Sequence, residues 1–336
     1  MTPPRASERR RQRGLSLIEL MIALVIGLIV VAGVMRLLVN SRTAYSTSEA
    51  QAHMLDGARF ALDQMSRDLR MAGAFGPNSW PSTIGGRRGA PDELPPAAND
   101  CAAGFYVDLQ RRVYAIDGSA ANPFLGGCIA SAIGAVPGSD ILAVRYADGR
   151  AVADADLAAN TVYVQSRSTR GQLFIGTAAP AFNPNENHRL ISHLYYVSPH
   201  TVTGDGIPAL HRLSLVSDGA GPTIEDEVLV SGVESMQLQF GVDDCDFSPC
   251  DGDVNRYVDA SNPLFGGLNW PNLAEVENIR AVRVWLLMRA PGEEREVGLD
   301  TSGSFQMGSY TATFGNDGVR RKLFSTAVNL RNRGRP

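Results

Sequence analysis

The stretch that decides the fold joins a cluster of arginines to a long apolar run, and it reads Arg9-Arg10-Arg11-Gln12-Arg13-Gly14-Leu15-Ser16-Leu17-Ile18-Glu19-Leu20-Met21-Ile22-Ala23-Leu24. Glu19 is the acid in this stretch, and no charged residue follows it until Arg36. An ionisable side chain at the centre of a membrane helix costs roughly 2.5–3.5 kcal/mol and is usually paired. Glu19 lies about one helical turn inside the run, where the cost is smaller. We therefore expect a partner that compensates its charge.

The apolar run 15–35 is long enough to cross a bilayer, because about 20 apolar residues span the hydrocarbon core. Five arginines precede it against one acid, Glu8. This bias predicts a cytoplasmic N-terminus and an external location for the rest of the chain. A secretory signal peptide would have a shorter apolar core and a small-residue cleavage site. An ordinary signal anchor would explain the length and the arginines but not Glu19.

The segment Gly14-Leu15-Ser16-Leu17-Ile18-Glu19 resembles the class III leader of type IV prepilins. The resemblance implies that an inner-membrane aspartic peptidase cuts after Gly14 on the cytoplasmic side and N-methylates Leu15. It also implies that Glu19 pairs with the α-amine of a neighbouring subunit in a filament. A buried charge without its partner is heavily penalised, so this pair would also fix the axial register. The family usually has Phe at the first mature position and often Thr at the third, where this chain has leucines.

Length, charge and composition narrow the classes of function. The 336 residues have room for one or two domains, and the net charge is −4. Outside the leader there is no basic patch, so no nucleic acid partner is predicted. Lys322 is the only lysine, and it lies in no phosphate-loop, Schiff-base or kinase-type motif. No Gly-x-Ser-x-Gly, HExxH or GxGxxG motif occurs, and we predict that the chain is not an enzyme.

Four cysteines lie on the predicted external side: Cys101, Cys128, Cys245 and Cys250. An even number in an oxidising compartment favours disulfides. Three connectivities are open, and we favour the local pairs Cys101–Cys128 and Cys245–Cys250. A four-thiolate metal site is the alternative, but no Cys-x-x-Cys spacing supports it.

Helical periodicity continues beyond the apolar run. Apolar residues recur at three- and four-residue steps at Met54, Ala58, Ala61, Met65, Leu69 and Ala72. We assign the polar residues to the other face, namely Glu49, Gln51, Asp56, Arg59, Asp63, Arg67, Asp68 and Arg70. Asp63 and Arg67 are spaced for an i,i+4 ion pair. The pattern ends at Gly73 and Gly76-Pro77, which predicts one helix over about 15–72, on the order of 85 Å long.

The rest of the chain predicts a loop and then a sheet. Residues 76–100 are rich in Pro and Gly, and strands are predicted over 105–109, 141–146, 161–165, 173–175, 190–197, 209–216, 227–230, 235–242, 279–288, 310–314 and 321–330. A hairpin is predicted across the loop that contains Gly204-Asp205-Gly206. The predicted fold is α+β and type IV pilin-like, with a long N-terminal helix packed on an antiparallel sheet. Its divisions are a leader (1–14), a transmembrane helix (15–38), an amphipathic continuation (39–75), the loop (76–100) and a periplasmic β-rich domain (101–336).

Four further segments resemble PilW-type minor pilins: 59–63, 67–73, 233–243 and 324–332. The resemblance implies a minor pilin of the inner membrane. This pilin would prime pilus assembly together with other minor pilins and the major pilin. Prepilin peptidase and a tip adhesin are further partners that it implies. Pseudopilin J of type II secretion shares this plan, so a secretion or DNA-uptake pseudopilin is the alternative. A third hypothesis for the function is a membrane-anchored periplasmic enzyme or binding module.

Two groups of residues contain side chains of the kind that bind metal ions. Oxygen side chains alternate as in the first half of a Ca²⁺ loop at Asp251, Asp253 and Asn255, with Asp259 at the ninth position. The glycine and the final glutamate of such a loop are missing, so we predict no cofactor and at most weak Ca²⁺ binding. The histidines His188, His193, His200 and His211 lack the spacing of a helical ligand pair, and we predict surface or core positions for them.

Overall fold

The computed structural model describes residues 16–101, 104–118, 124–180, 186–243, 252–262, 278–290 and 301–332, with the side chains of 43, 46 and 47 excepted. The chain divides into two compact units, residues 1–52 and 53–336. Helix α1, Leu17–Met71, contributes residues to both units. The second unit also contains antiparallel sheets, so the predicted α+β class is confirmed.

Both ends of α1 have local causes. Ser16 stands just before the helix, and its Oγ accepts a hydrogen bond from the backbone N–H of Glu19 at 3.2 Å, as an N-cap serine does. After the last turn, Gly73 has φ +79°, a left-handed conformation that glycine adopts readily. The side-chain amide of Asn332 donates to the carbonyls of Arg70 and Met71 at 3.1 and 3.3 Å. The predicted helix over 15–72 therefore matches the observed one to within two residues.

The predicted apolar stripe of α1 is buried in the second unit, from Met54 to Ala72. Gly57 lets the sheet approach closely, because a Cβ there would lie 2.9 Å from Cγ1 of Val230. On the exposed face, Arg67 and Asp63 form the predicted ion pair at 3.0 Å. The stripe therefore packs on the chain's own domain.

The larger sheet has eight strands, and the smaller has four. The first contains β1 (Ile84–Gly85), β2 (Val113–Ile116), β3 (Ile141–Val152), β4 (Val162–Arg167), β5 (Arg170–Ile175), β6 (Asn187–Ser198), β7 (Ala209–Ser217) and β8 (Pro222–Ser231). Their order is β1-β5-β4-β6-β3-β2, with β7 paired to β6 and β8 paired to β7. The second sheet has the order β10-β9-β11-β14, from β9 (Val233–Val242), β10 (Arg256–Asp259), β11 (Ile279–Arg289) and β14 (Arg321–Asn329). A separate hairpin joins β12 (Gly303–Met307) to β13 (Tyr310–Phe314).

One predicted strand, over 105–109, is wrong. These residues lead into a short 3-10 turn, Leu109–Arg111, and the carbonyl of Phe105 accepts a hydrogen bond from Arg145 instead of a neighbouring strand. The other predicted strands are present, and the predicted hairpin is the antiparallel pair β6–β7. Four short strands were not predicted: β1, inside the predicted loop 76–100, and β2, β10 and β12.

Asp140, just before β3, connects the two sheets. Its carboxylate accepts the backbone N–H groups of Gly118 at 2.9 Å and of Leu238, in β9, at 2.8 Å. Its own N–H donates to the carbonyl of Met236 at 2.8 Å. Burial raises the pKa of Asp140 to about 7, and the charges of Asp117 and Asp259 act in the same direction.

The disulfide Cys101–Cys128 is present and closes the segment that leads from the long loop towards β3. Cys245 and Cys250 lie outside the described residues, so their pairing stays a prediction.

Candidate functional site

The predicted processing and assembly residues are Gly14, Leu15 and Glu19, and of these the first turn of α1 carries Glu19. Gly14 and Leu15 lie outside the described residues. Ser16 and Glu19 have the spacing of a capping box, and an acid in the first turn is favoured by the helix dipole. The side chain of Glu19 is exposed in the isolated chain. Its carboxylate is therefore accessible from outside the chain.

The segment Leu17–Arg42 of α1 has the length and composition of a helix that crosses a membrane. It comprises 26 residues, its mean hydropathy is 2.8, and none of it is buried within the chain. Apolar surface of this extent is uncommon on a soluble monomer and needs lipid or other helices to cover it. The segment therefore has the properties of a membrane anchor.

Asp68 holds the other end of α1 to the larger sheet. It is 1% exposed, and its carboxylate accepts three hydrogen bonds, from Nδ1 of His193 at 2.5 Å and from the hydroxyls of Tyr195 at 2.6 Å and Tyr146 at 3.0 Å. The three donors come from β3 and β6. A buried carboxylate is stable when its oxygens are fully hydrogen-bonded, so this network fixes the helix on the sheet.

Two opposing effects set the pKa of Asp68. Burial raises it, but the hydrogen bond and the charge of His193, with the hydroxyls of Tyr195 and Tyr146, outweigh burial and leave the pKa below its ordinary value. Burial raises the pKa of both tyrosines, so they remain protonated donors. Asp68 is therefore ionised throughout the neutral range.

The prediction that Asp68 lies on the polar face of the helix is wrong. Asp68 is three residues after Met65 and four before Ala72, and residues at these spacings share a face of a helix. The helical spacing of Asp68 therefore indicates a buried position, whereas its polarity alone indicates an exposed one. The partners of Asp68 could not be identified in this way, because His193 and Tyr195 are far from it in sequence.

Arg145, in β3, is fully buried and holds the disulfide-closed segment against the larger sheet. Its Nε donates to the carbonyl of Phe105 at 2.9 Å, and its Nη1 donates to the carbonyl of Arg111 at 2.7 Å. The guanidinium also lies 4.1 Å from the ring centroid of Phe105, a cation–π contact. Burial lowers the pKa of Arg145 to about 10, which leaves it charged at neutral pH.

The predicted core or surface histidines lie in hydrogen-bonded networks. His193 contacts Asp68, as described above. His211 lies on β7, with its Nδ1 3.0 Å from Oδ1 of Asp226 and its Nε2 2.8 Å from the carbonyl of His200. Nδ1 of His188 lies 2.8 Å from the carbonyl of Asp148. These contacts occupy both ring nitrogens of His211 and one ring nitrogen each of His188 and His193.

The Ca²⁺ candidates are only partly described. Asp251 lies outside the described residues, and Asp253 and Asn255 precede β10. Asp259 ends β10, and its Oδ1 accepts a hydrogen bond from the amide of Gln239 at 2.9 Å. Within the described residues, no three His, Cys, Asp or Glu side chains lie close enough to hold a metal. Weak Ca²⁺ binding remains an untested prediction.

Two known families match this chain, one at its N-terminus and one in its C-terminal part. The prokaryotic N-terminal methylation motif matches residues 9–35, which supports a prepilin-like, membrane-anchored class of protein. The family described as Type IV Pilus-assembly protein W matches residues 194–332, from within β6 to just after β14. The two matches support a PilW-type protein of type IV pilus assembly, and the predicted resemblance is confirmed. No curated protein and no solved structure matches the chain.

The matched families agree with the kind of site that the chain offers. Its N-terminal segment combines an exposed acid with an uncovered apolar helix, which suits association. The match to a pilus-assembly family suggests a structural protein that interacts with other assembly components.

Proposed function

We propose that this chain is a minor pilin of a type IV pilus. It is inserted in the inner membrane with its N-terminus in the cytoplasm, cleaved after Gly14 and methylated at Leu15. It then packs its N-terminal helix against other minor pilins to prime assembly. The observation that carries the proposal is the 26-residue apolar helix with Glu19 exposed in its first turn. Lipid covers this surface before assembly, and neighbouring helices cover it afterwards.

The charge of Glu19 explains how insertion and assembly are linked. Cleavage after Gly14 creates an α-amine at Leu15, and a carboxylate five residues into the mature chain can pair with the amine of a neighbour. In a medium of low dielectric, this pairing offsets part of the desolvation of both groups. An uncleaved chain has no such amine, so processing must precede packing.

Mass spectrometry of the mature N-terminus tests the processing step. We expect an N-methylated leucine at residue 15. An intact leader, or an N-terminus near residue 45, would contradict the proposal.

The variant Glu19→Leu tests the pairing step. We expect it to insert and to be processed, yet to enter pili at least about tenfold less than the wild type, because the neighbour's amine loses its counter-charge. Glu49→Gln, an exposed acid on the same helix, serves as the control and should behave as the wild type. Normal piliation with Glu19→Leu would exclude the pairing mechanism.

A further inference from the structure

The outer edge of β8 offers backbone groups for an additional strand. Strand β8 pairs with β7 on one side. On its other side, among the described residues, it makes backbone hydrogen bonds with Ala98, near its start. An edge strand with open N–H and C=O groups can pair with another extended segment.

The contact with Ala98 shows which backbone groups of β8 point outward. The N–H of Ala98 donates to the carbonyl of Pro222, and the N–H of Ile224 donates to the carbonyl of Ala98, both at 2.9 Å. Alternate residues of a strand direct their backbone groups to the same side. Asp226 and Val228 therefore direct theirs outward as Ile224 does. The described residues place no partner on these groups.

The chain itself leaves this edge after a single residue pair. Ala98 pairs with Thr223 in a parallel bridge. The next residue, Asn99, has φ +55°, a left-handed conformation that turns the chain away from the strand direction. Among the described residues, the edge is thus open at Asp226 and Val228, up to the register shift between Val228 and Val230, in a geometry that already accepts one extended residue.

The side chains of this edge define the chemistry of a partner. Glu225, Asp226 and Glu227 are three consecutive exposed acids. Arg212 neutralises Glu227 through contacts of 2.8 and 2.6 Å, whereas Glu225 forms no ion pair with a described residue. The edge therefore carries a net negative charge that a basic segment would complement.

A groove lined by apolar residues and by the charged Asp56 and Arg289 begins where the acidic part of the edge ends. The groove has a volume of about 590 Å³, and its lining includes Val230 of β8, Phe60 of α1 and Met288 of β11. Phe60 is 50% exposed, although large apolar side chains of this kind are usually covered. An incoming strand could therefore place an apolar side chain here while a basic side chain contacts Glu225.

We propose that the edge of β8 binds an extended, basic segment of another pilus subunit by strand addition. The inference rests on the proposed role in pilus assembly and adds a surface and a partner chemistry to it. A second copy of this strand would be unfavourable, because two acidic edges would face each other. The internal segments outside the described residues are neutral or acidic in sequence, as 291–300 with four acids and Arg295 illustrates. Charge therefore disfavours these internal segments, and we commit to a different subunit; the basic C-terminal residues Arg333 and Arg335 of a second copy are an outcome that the test below distinguishes.

Site-specific photo-cross-linking in pilus-producing cells tests this inference. A photoreactive residue replaces Ser231, which is exposed at the end of β8 and lines the groove, in the full-length chain. We expect a cross-link to another pilus subunit, mapped by mass spectrometry to an extended segment with basic residues. A cross-link to this chain itself, to a second copy or to a segment without basic residues would overturn the inference, as would no cross-link.

Two variants in the same background separate backbone pairing from charge. Val228→Pro removes an outward N–H that does not bond to β7, and Glu225→Lys reverses the unpaired charge. Each should lower the cross-link yield about tenfold. Val228→Thr, which keeps the N–H, and Asp156→Lys, at an exposed acid elsewhere, should leave the yield unchanged. Equal yields in all four variants would contradict strand addition.

Two further measurements keep the result interpretable. The melting temperature of each variant should match that of the parent, and if Val228→Pro does not fold, Glu225→Lys alone decides between the outcomes. The N-terminus is analysed in the same cells. A methylated Leu15 without a cross-link contradicts only the inference about the edge of β8. An unprocessed leader contradicts the proposed function itself.

Discussion

The two halves of α1 are parts of one helix, but their apolar side chains are covered in different ways. In Leu17–Arg42 the apolar residues occur all round the helix, and none is buried within the chain. In 53–71 they form one stripe, and that stripe is buried against the chain's own domain. The comparison teaches that an all-round pattern indicates surroundings supplied from outside the chain, whereas a stripe indicates an intramolecular partner.

The same charge placed in each half should produce two different defects, and this is the largest effect we expect. Met65 is fully buried, so Met65→Asp places an unpaired carboxylate in the core and should lower the free energy of unfolding by at least about 4 kcal/mol. Val30→Asp should instead weaken membrane insertion by roughly 3 kcal/mol and leave the domain stable. Denaturant titration in detergent and alkaline extraction of membranes measure the two quantities. If both variants destabilised the domain equally, the comparison would fail.

Removing the charge of Asp68 should give the next largest effect. Asp68→Asn loses charge-assisted hydrogen bonds from His193 and Tyr195, and the free energy of unfolding should fall by about 3 kcal/mol at neutral pH. Asp63→Asn, at an exposed position of the same helix, is the matched control and should change it by less than about 0.5 kcal/mol. Equal losses for both variants would show that the buried network does not anchor the helix.

The low pKa of Asp68 also predicts a dependence on pH. Because its pKa in the folded state lies below the unfolded value of about 3.9, folding disfavours its protonation. The stabilisation is therefore complete above about pH 4 and is lost as the pH falls further, towards the folded pKa. Denaturant titrations from about pH 2 to about pH 7 bracket the folded and unfolded pKa values. They should show a loss of stability at acid pH in the wild type and a smaller loss in Asp68→Asn. Parallel profiles for the two proteins would contradict this prediction.

The exposed ion pair of α1 should have the smallest effect. Arg67 and Asp63 are 58% and 64% exposed, so solvent screens their attraction. Arg67→Ala should lower the free energy of unfolding by at most about 0.5 kcal/mol, and added salt should reduce the difference further. A loss of more than about 1 kcal/mol would mean that the outer face of the helix has a partner in the folded chain.

The sequence was sufficient for features with a local cause. The end of α1 at Gly73 was predicted because a left-handed backbone depends on the residue itself and its neighbours. The hairpin β6–β7 was predicted because alternating strands flank a loop with two glycines. The N-terminal motif was recognised because an acid in an apolar run is rare.

Features with a distant cause were missed. Strand β2 is four buried residues without alternation, so no period distinguished it from a loop. The predicted strand over 105–109 failed because the carbonyl of Phe105 is bonded to Arg145, which is 40 residues away. The partners of Asp68 were missed because its three donors are 78 to 127 residues distant. Local propensity carries no information about such contacts.

The contact of Asn332 with the end of α1 constrains the order in which the second unit, residues 53–336, forms. This side chain reaches back over 262 residues of chain to the carbonyl of Arg70, and contacts between such distant residues form slowly. During synthesis, the ribosome makes the last turn of α1 long before it makes Asn332. Until then, water must solvate those carbonyls. The carbonyls at the end of α1 are therefore expected to gain their side-chain partner late, only after the last residues of the second unit have been made.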